Sequence, residues 1–168
     1  YTRSMSGRDF SAMSFDMQIS AFSDYSLRVL MYLAVSGDRL VSSREVAAVY
    51  DLSFDHIAKV SQFLVREGYV AAVRGRGGGM QLMKAPSEIT IGEVLRKSEA
   101  GSGLVECMRG EPIHCVLAPV CGLNPIFAEA NEAFFQTLDK RTLADALSRR
   151  KEVEQILGLS ESKAGSVS

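Results

Sequence analysis

The three cysteines of this 168-residue chain, Cys107, Cys115 and Cys121, all fall within a stretch of fifteen residues. Their spacing is C-x7-C-x5-C, and His114 directly precedes the second cysteine. Thiolates bind zinc and iron–sulfur clusters, and pairs of thiols form disulfides. The spacing differs from the short Cys pairs of structural zinc sites, and adjacent His114 and Cys115 would strain a shared tetrahedral ion. The cysteines leave zinc, a disulfide switch and an iron–sulfur cluster open, and for a cluster one ligand is missing.

Composition restricts the class of protein. Hydrophobic residues make up 46% of the chain and charged residues 23%, which is ordinary for a globular protein with a real core. No run of apolar residues is long enough to cross a membrane, and residues 1–16 lack the apolar segment of a signal peptide. An odd number of cysteines argues against a disulfide framework. We therefore expect a cytoplasmic protein without membrane contact, in which residues 1–16 are a disordered extension and the polar residues 158–168 a disordered tail.

Three helices are predicted in the first part of the chain. Apolar residues recur at helical spacing after Ser23, the expected N-cap of the first helix, and Gly37 ends that helix. Ser42 followed by Glu45 forms a capping box, which predicts a short second helix. Ser53 is the expected cap of the third.

Two short strands follow the third helix. The segments YVAAV and MQLM flank the glycine-rich turn RGRGGG, which predicts a β-hairpin with a basic tip. Three helices followed by such a hairpin predict a winged helix-turn-helix. The expected fold is therefore mainly α with a small β-wing.

Positive charge is concentrated on the third helix and the wing. Between His56 and Lys84 there are five basic residues and one acidic residue, although the whole chain has a net charge of −1. In a winged helix-turn-helix the third helix lies in the major groove, with Phe54 and Ile57 expected to face the core, and the wing can follow the minor groove. Asp55 would repel phosphate, so we expect it to cap its helix or to accept a hydrogen bond from cytosine. The residues expected to contact DNA are Ser42, Ser43, Arg44, Ser53, Asp55, His56, Lys59, Arg74, Gly75, Arg76 and Gly77.

The second half of the chain is expected to be helical around the cysteine loop. Thr90 opens a fourth helix, and Asn124 with Pro125 predicts the cap and first residue of a long helix. A single shorter helix is expected in TLADALSRRKEVEQIL. The chain then divides into an extension (1–16), a winged helix-turn-helix domain (17–85), a connecting helix with the cysteine loop (86–123), the long and C-terminal helices (124–157) and a tail (158–168).

Several stretches resemble the Rrf2 family of bacterial transcription regulators over about residues 17–157. They are FSDYSLRVLMYLA, SSREVAAVYDLS, VREGYVAAVRGRGGGMQL, ITIGEVLR, the three cysteines and RTLADAL. The string RGRGGG in a wing, together with a three-cysteine loop before a long helix, is specific to that family. The resemblance implies a homodimer, with an iron–sulfur cluster in some branches. Within the family the chain is most similar to the branch that senses nitric oxide.

The resemblance also implies a set of cluster ligands. Cys107, Cys115 and Cys121 match the three cysteine ligands, and Asp24 matches an aspartate that supplies the fourth ligand from the other subunit. In the branch that regulates iron–sulfur assembly a histidine takes this role, but Asn124 stands at that position here. The x7 gap and the string CGLN resemble instead the rhizobial iron-responsive branch, in which the position of Asp24 is typically asparagine. Taken by itself, an aspartate in the first turn of a helix is also a common partner of the helix dipole.

From these patterns we expect a homodimeric repressor that binds palindromic operator DNA through a cluster-dependent conformation. Its dimer is expected to form through the long helix, its cluster to be [4Fe–4S] rather than [2Fe–2S], and its signal to be nitric oxide. The alternatives are an iron-responsive regulator on the same scaffold and a cluster-free thiol–disulfide switch. No arrangement of catalytic residues is recognised, so an enzyme is not expected.

Overall fold

A computed structural model describes residues 18–110 and 113–159; the predicted extension and residues 160–168 of the predicted tail lie outside these ranges. The described part of the chain is mainly helical with one two-stranded antiparallel sheet, which confirms the predicted fold class. Its elements are α1 (Ala21–Ser36), α2 (Ser43–Val49), α3 (Phe54–Arg66), β1 (Val70–Val73), β2 (Gly79–Leu82), α4 (Ile91–Ser98), α5 (Leu123–Asp139), α6 (Leu143–Ala146) and α7 (Arg150–Ile156). None of these helices is long and apolar enough to cross a membrane.

Helix α1 is the centre of the hydrophobic core. Its residues Val29 and Leu30 have no exposed surface, and it contacts α3, α4, β2, α6 and α7. Leu143 of α6 is equally buried, and Leu147 just after α6 joins the same cluster. The segment from α6 to Leu147 therefore closes part of the core.

The turn between α2 and α3 has the tight geometry of a helix-turn-helix. Asp51 has φ 51°, and the amide of Leu52 donates to the carbonyl of Ala47 at 2.9 Å. The Ser42 hydroxyl caps α2 by accepting from the amide of Glu45 at 3.1 Å. Only this half of the predicted capping box forms, because the Glu45 carboxylate instead accepts from the Tyr32 hydroxyl at 2.8 Å and from Arg39.

The glycines of the wing have two structural roles. Gly75 and Gly77 have φ of 103° and 79°, the left-handed region that glycine adopts without strain. Gly79 instead permits a close backbone approach, since a Cβ there would lie 2.9 Å from the backbone nitrogen of Val41. Val41 and Met80 exchange backbone hydrogen bonds of 3.0 and 2.7 Å, which fasten the hairpin to the segment before α2.

The first and fifth helices begin earlier than predicted. Ser20, not Ser23, caps α1, because the Ser20 hydroxyl accepts from the Ser23 amide at 3.1 Å while the buried Ser23 hydroxyl bonds to Ser98. Helix α5 follows Gly122, so Asn124 is not its cap and Pro125 lies within its first turn. Proline is tolerated there because amides of the first turn have no partner inside the helix.

The single C-terminal helix predicted from the sequence is two helices. A capping box of Thr142 and Asp145 starts α6, and the chain turns at Leu147, which is only 7% exposed, before α7. The turn lets Leu143 of α6 and the following Leu147 be buried while α7 contacts α1, where Arg150 donates to the carbonyl of Val35 at 3.2 Å.

Candidate functional site

The N-terminal half of α3 presents a polar face to solvent. Ile57 and Val60 have no exposed surface, which fixes the rotation of the helix on the core. The residues predicted to contact DNA, Ser53, Asp55, His56 and Lys59, are all exposed on the opposite side. Ser53 precedes the helix but its side chain makes no capping hydrogen bond, so its hydroxyl is not used in the fold.

Phe54 does not face the core as predicted. It is 43% exposed, and the guanidinium carbon of Arg44 lies 5.0 Å from the centroid of its ring. Phe54 has the helical spacing of the buried stripe, but the core-facing part of α3 starts one turn later, at Ile57. The first residue of the helix therefore projects past the edge of the core.

The start of α2 lies beside α3 and contributes two serines, one exposed and one half-buried. Ser42 is exposed, whereas the Ser43 hydroxyl shares a 3.1 Å hydrogen bond with that of Ser61 and lies 3.8 Å from the sulfur of Met80. Ser43 therefore also joins α2 to α3 and the hairpin. Arg44 follows it and is exposed.

The basic residues of this surface are not neutralised. Of the eight other described arginines, Arg109 and Arg141 form no ion pair with another described residue, and six pair with carboxylates, namely Arg28, Arg39, Arg66, Arg96, Arg149 and Arg150. Within the described ranges, no carboxylate forms an ion pair with Arg44, Lys59, Arg74 or Arg76. With Arg74 and Arg76 exposed at the wing beside Gly75 and Gly77, uncompensated positive charge extends over α2, α3 and the hairpin.

The cysteine loop connects α4 to α5 and contains little regular structure. Cys107 lies in a single 3₁₀ turn over Glu106–Met108, Cys115 is exposed, and Cys121 lies two residues before the start of α5. All three thiols are free of disulfides. The 3₁₀ turn that carries Cys107 packs against α5.

Polar contacts to the main chain hold the loop. The Glu106 carboxylate accepts from the amide of His114 at 2.8 Å, and Arg109 donates to the carbonyl of Gly103 at 3.0 Å. These contacts give shape to the loop without gathering its thiols. Across residues 18–110 and 113–159, no three Cys, His, Asp or Glu side chains lie close enough together to hold a metal ion.

Asp24 lies in the first turn of α1, apart from the cysteines. Its carboxylate pairs with Arg28 at 2.8 Å, one helical turn along, and both side chains remain partly exposed. It also lines a cavity of about 690 Å³ between the start of α1 and α5, together with Glu99, Leu104 and Phe134. No cysteine lines this cavity. A single chain therefore does not join the predicted fourth ligand to the other three.

The start of α1 is bonded to the end of α4 by contacts that the sequence did not indicate. The amide of Ser20 donates to the Glu99 carboxylate at 2.7 Å, and the hydroxyls of Ser23 and Ser98 are 2.7 Å apart. Burial alone would raise the pKa of Glu99, but hydrogen bonds from Ser23 and Ser20 outweigh burial and lower that pKa. From the sequence Ser23 was expected only as a helix cap, and no local pattern identified its partner Ser98.

Arg96 joins α4 to α5. Its guanidinium donates to both oxygens of Glu132 at 2.8 Å and to Asp139 at 3.0 Å, and it lies 4.7 Å from the ring centroid of Phe135. These hydrogen bonds raise the pKa of Arg96, and Arg96 in turn lowers the pKa of Glu132. The contact spans 36 residues of sequence, which is why no local pattern indicated it.

Among the residues that the structure describes, none of those in helix α5 is buried. Leu123 and Ile126 are 58% and 60% exposed, and Val120 just before the helix is 84% exposed. Scattered apolar residues are common on surfaces, but a 17-residue helix with an apolar side and no buried residue is typical of one that packs on another molecule.

This fold and its basic surface define a transcription regulator of the winged helix-turn-helix class. Residues 19–149 match the Rrf2 family, described as iron-dependent transcriptional regulators. The chain belongs to the Rrf2 family, as its sequence motifs predicted.

Curated relatives and solved structures agree with this assignment. The chain is 42% identical over 142 residues to the HTH-type transcriptional regulator NsrR of Bacillus licheniformis, covering 84% of this chain and 99% of that protein. It is 40% identical over 146 residues to NsrR of Bacillus subtilis, covering 86% of this chain and 100% of that protein. The structure of CymR, the global cysteine regulator of B. subtilis, aligns with a TM-score of 0.61 at 25% identity, covering 79% of this chain and 98% of that one.

Proposed function

We propose that the protein is a homodimeric, iron–sulfur-cluster-dependent repressor that binds palindromic operator DNA in the cytoplasm and releases it in response to nitric oxide. The observation that carries DNA binding is the unpaired positive charge of Arg44, Lys59, Arg74 and Arg76 on three adjacent elements. The phosphates of DNA attract these cationic side chains. Because the side chains form no ion pairs within the described protein, no ion pair has to be broken before they bind phosphate.

The roles of the surface residues follow from where they lie. Ser53, Asp55, His56 and Lys59 would read base edges from the exposed side of α3. Arg74 and Arg76, with Gly75 and Gly77 between and beside them, would enter the neighbouring minor groove, whose negative potential favours arginine. Ser42, Ser43 and Arg44 would contact the DNA phosphates and so set the register of the protein on the DNA backbone.

The dimer would form through the exposed apolar side of α5. A second copy of the chain is the partner that makes the interface symmetric, and a two-fold axis matches a palindromic operator. In this proposal residues 17–85 bind DNA, residues 86–123 connect and carry the thiols, and residues 124–157 contain the dimer helix.

The chemistry of the donors fits an iron–sulfur cluster, although their positions in one chain do not converge. Three free thiols on one loop are the ligands that such clusters require, and a fourth donor from the partner subunit would complete the set. Cys107, Cys115 and Cys121 would bind as thiolates, and Asp24 would add a harder, weaker oxygen donor from the other subunit. When bound, a [4Fe–4S] cluster supplies iron that nitric oxide can attack.

The relatives favour this signal over the alternatives. The curated regulators at 42% and 40% identity are both named NsrR. An iron-responsive regulator would instead release DNA on iron chelation. A thiol switch would release it when two of the three free thiols are oxidised to a disulfide.

The proposal is tested with the full chain purified anaerobically and reconstituted with iron and sulfide. Operator sites are selected from random duplex DNA, and binding is followed while nitric oxide is titrated. We expect a coloured protein that carries iron and acid-labile sulfide, and release of DNA at a few molecules of nitric oxide per cluster. Release only on chelation, or a colourless protein with no iron, would exclude the proposed sensor.

The ligands are tested with single variants of the same preparation. Cys107→Ser, Cys115→Ser and Cys121→Ser should each lower the iron content, and Asp24→Ala should change the absorbance spectrum or speed cluster loss. Asp38→Ala, an exposed aspartate just after α1, is the matched control and should leave both unchanged. If Asp24→Ala behaves like Asp38→Ala, then Asp24 is a partner of the helix dipole and not a ligand.

A further inference from the structure

Phe54 is an exposed aromatic residue at the start of α3, the recognition helix that is proposed to lie in the major groove. The residue is 43% exposed, whereas Ile57 on the next turn has no exposed surface. A single exposed apolar residue is ordinary on protein surfaces. The position of Phe54 is unusual, because the N-terminal turn of the third helix in a winged helix-turn-helix faces the base edges. Val65 is exposed to a similar degree, 38%, but lies near the opposite end of α3.

Arg44 restrains the exposed ring. Its guanidinium carbon lies 5.0 Å from the ring centroid of Phe54, within the range of a cation–π contact. A planar cation over the ring covers part of it and limits its motion, while the rest of the ring stays open to solvent. Because α2 supplies the arginine and α3 the ring, the contact fixes the ring relative to both helices of the motif.

The chemistry of the ring selects its partner. Phenylalanine neither donates nor accepts a conventional hydrogen bond, so it cannot read the amino, carbonyl or ring-nitrogen groups of a base edge. The apolar group that unmodified base pairs present in the major groove is the 5-methyl group of thymine. The neighbouring Ser53, Asp55 and His56 are polar and suit the other groups of the groove.

We propose that Phe54 is a specificity-determining residue that packs against the methyl group of a thymine in each operator half-site, with Arg44 as the residue that positions its ring. The inference rests on the proposed DNA binding of α3. It extends that proposal by assigning to one residue the recognition of one base.

The test removes only the methyl group. Operator sites are selected with the reconstituted full chain, and each thymine is then replaced in turn by deoxyuridine. At one thymine in each half-site, the substitution should weaken binding of the unaltered protein by about fourfold, the value of one buried methyl group. Phe54→Ala should bind the thymine and deoxyuridine sites equally, because the group that senses the methyl is gone.

Further variants separate recognition from folding. Val65→Ala removes a comparably exposed side chain from the same helix and should keep the fourfold methyl effect. Phe54→Leu, which keeps an apolar side chain, should keep part of it, and Arg44→Lys should reduce it while preserving the charge. The inference is overturned if a site is selected but no thymine shows a methyl effect that depends on Phe54. If no sequence is selected at all, site-specific DNA binding fails as well.

Discussion

Gly92 lies at a close approach between α4 and α5, and replacing it by alanine tests how tightly these helices are docked. A Cβ at this position would lie 2.5 Å from the backbone nitrogen of Asp139 and 2.8 Å from its Cγ, and it would overlap the carboxylate oxygen Oδ1. Real Cβ atoms do not make contacts closer than about 3 Å. A flexible side chain could turn away, but the backbone of α5 cannot.

Gly92→Ala is expected to change the free energy of unfolding in the opposite direction to a usual Gly→Ala substitution in a helix. In an open helix, Gly→Ala stabilises by up to about 1 kcal/mol. Overpacking at a closed contact costs about 1–3 kcal/mol, and moving Asp139 would also stretch its 3.0 Å bond to Arg96. We therefore expect Gly92→Ala to lower the free energy of unfolding by about 1–3 kcal/mol, which corresponds to a Tm lower by roughly 2–10 °C for a chain of this size.

The measurement is thermal and urea unfolding of the full chain by circular dichroism, at one fixed protein concentration because association would also shift Tm. Gly122→Ala is the matched control, since nothing lies within 4 Å of a Cβ there and its φ is −71°. It should change stability by only a few tenths of a kcal/mol. A second substitution, Asp139→Ala, should rescue Gly92→Ala only in part, because the backbone nitrogen remains in the way. A more stable Gly92→Ala protein would refute the close contact between α4 and α5.

Three further predictions concern capping, ionisation and charge. Ser42→Ala should cost about 1 kcal/mol of unfolding free energy because it removes the 3.1 Å cap of α2, whereas Ser53→Ala, which removes no capping bond, should cost clearly less; equal losses in urea unfolding would contradict this. Burial, followed by the hydrogen bond to Glu45, raises the pKa of Tyr32 from its ordinary value of 10.0 to about 12. The stabilisation linked to Tyr32 is therefore complete below about pH 10 and is lost as pH rises towards 12, and Tyr32→Phe should flatten the stability–pH curve in that window. Arg74→Ala and Arg76→Ala should each lower the slope of log affinity against log salt by about 1 in operator binding, while Arg149→Ala, which removes an arginine paired with Glu152, should not.

The elements that local patterns predicted are those whose signals are local. Thr90 and Ser42 cap their helices by accepting from amides three residues away. The helical spacing of apolar residues in α3 predicted most of the residues that it buries. The cap of α1 could not be assigned in this way. Ser20 and Ser23 can both cap a helix, and the choice depends on a hydrogen bond from Ser23 to Ser98, 75 residues distant.

Phe54 shows a different limit of periodicity. The spacing from Phe54 to Ile57 is that of one helix face, so the pattern placed both residues in the core. Periodicity gives the direction of a side chain around the helix axis but not where the core ends along that axis. The end of the core is set by the packing of α1, α2 and the hairpin, which no window on α3 contains.

The grouping of the residues expected to contact DNA could be predicted because they lie on consecutive elements, whereas the relative placement of the proposed metal ligands could not. Residue types alone identified Cys107, Cys115 and Cys121 as donors, and only resemblance added Asp24. Tertiary packing decides where metal-binding side chains lie, and in a single chain it does not bring the three cysteines and Asp24 together. A site completed between two copies of a chain has no signature in the spacing of either copy.

Helix α4 is the mechanical link through which the proposed sensor would act on DNA. On one side, Ser98 bonds to Ser23 at the start of α1; on the other, Arg96 bonds to Glu132 of α5. Helix α1 in turn packs on the recognition helix, where the rings of Phe22 and Phe63 meet edge to face at 5.1 Å. If α5 forms the dimer, a shift at the start of α1 is transmitted to the spacing of the two recognition helices through rigid contacts and not through a flexible linker. The dimer must place both recognition helices in their half-sites at once. A ligand bound at Asp24 would therefore need to displace the start of α1 only slightly to change how well the dimer fits a palindromic operator.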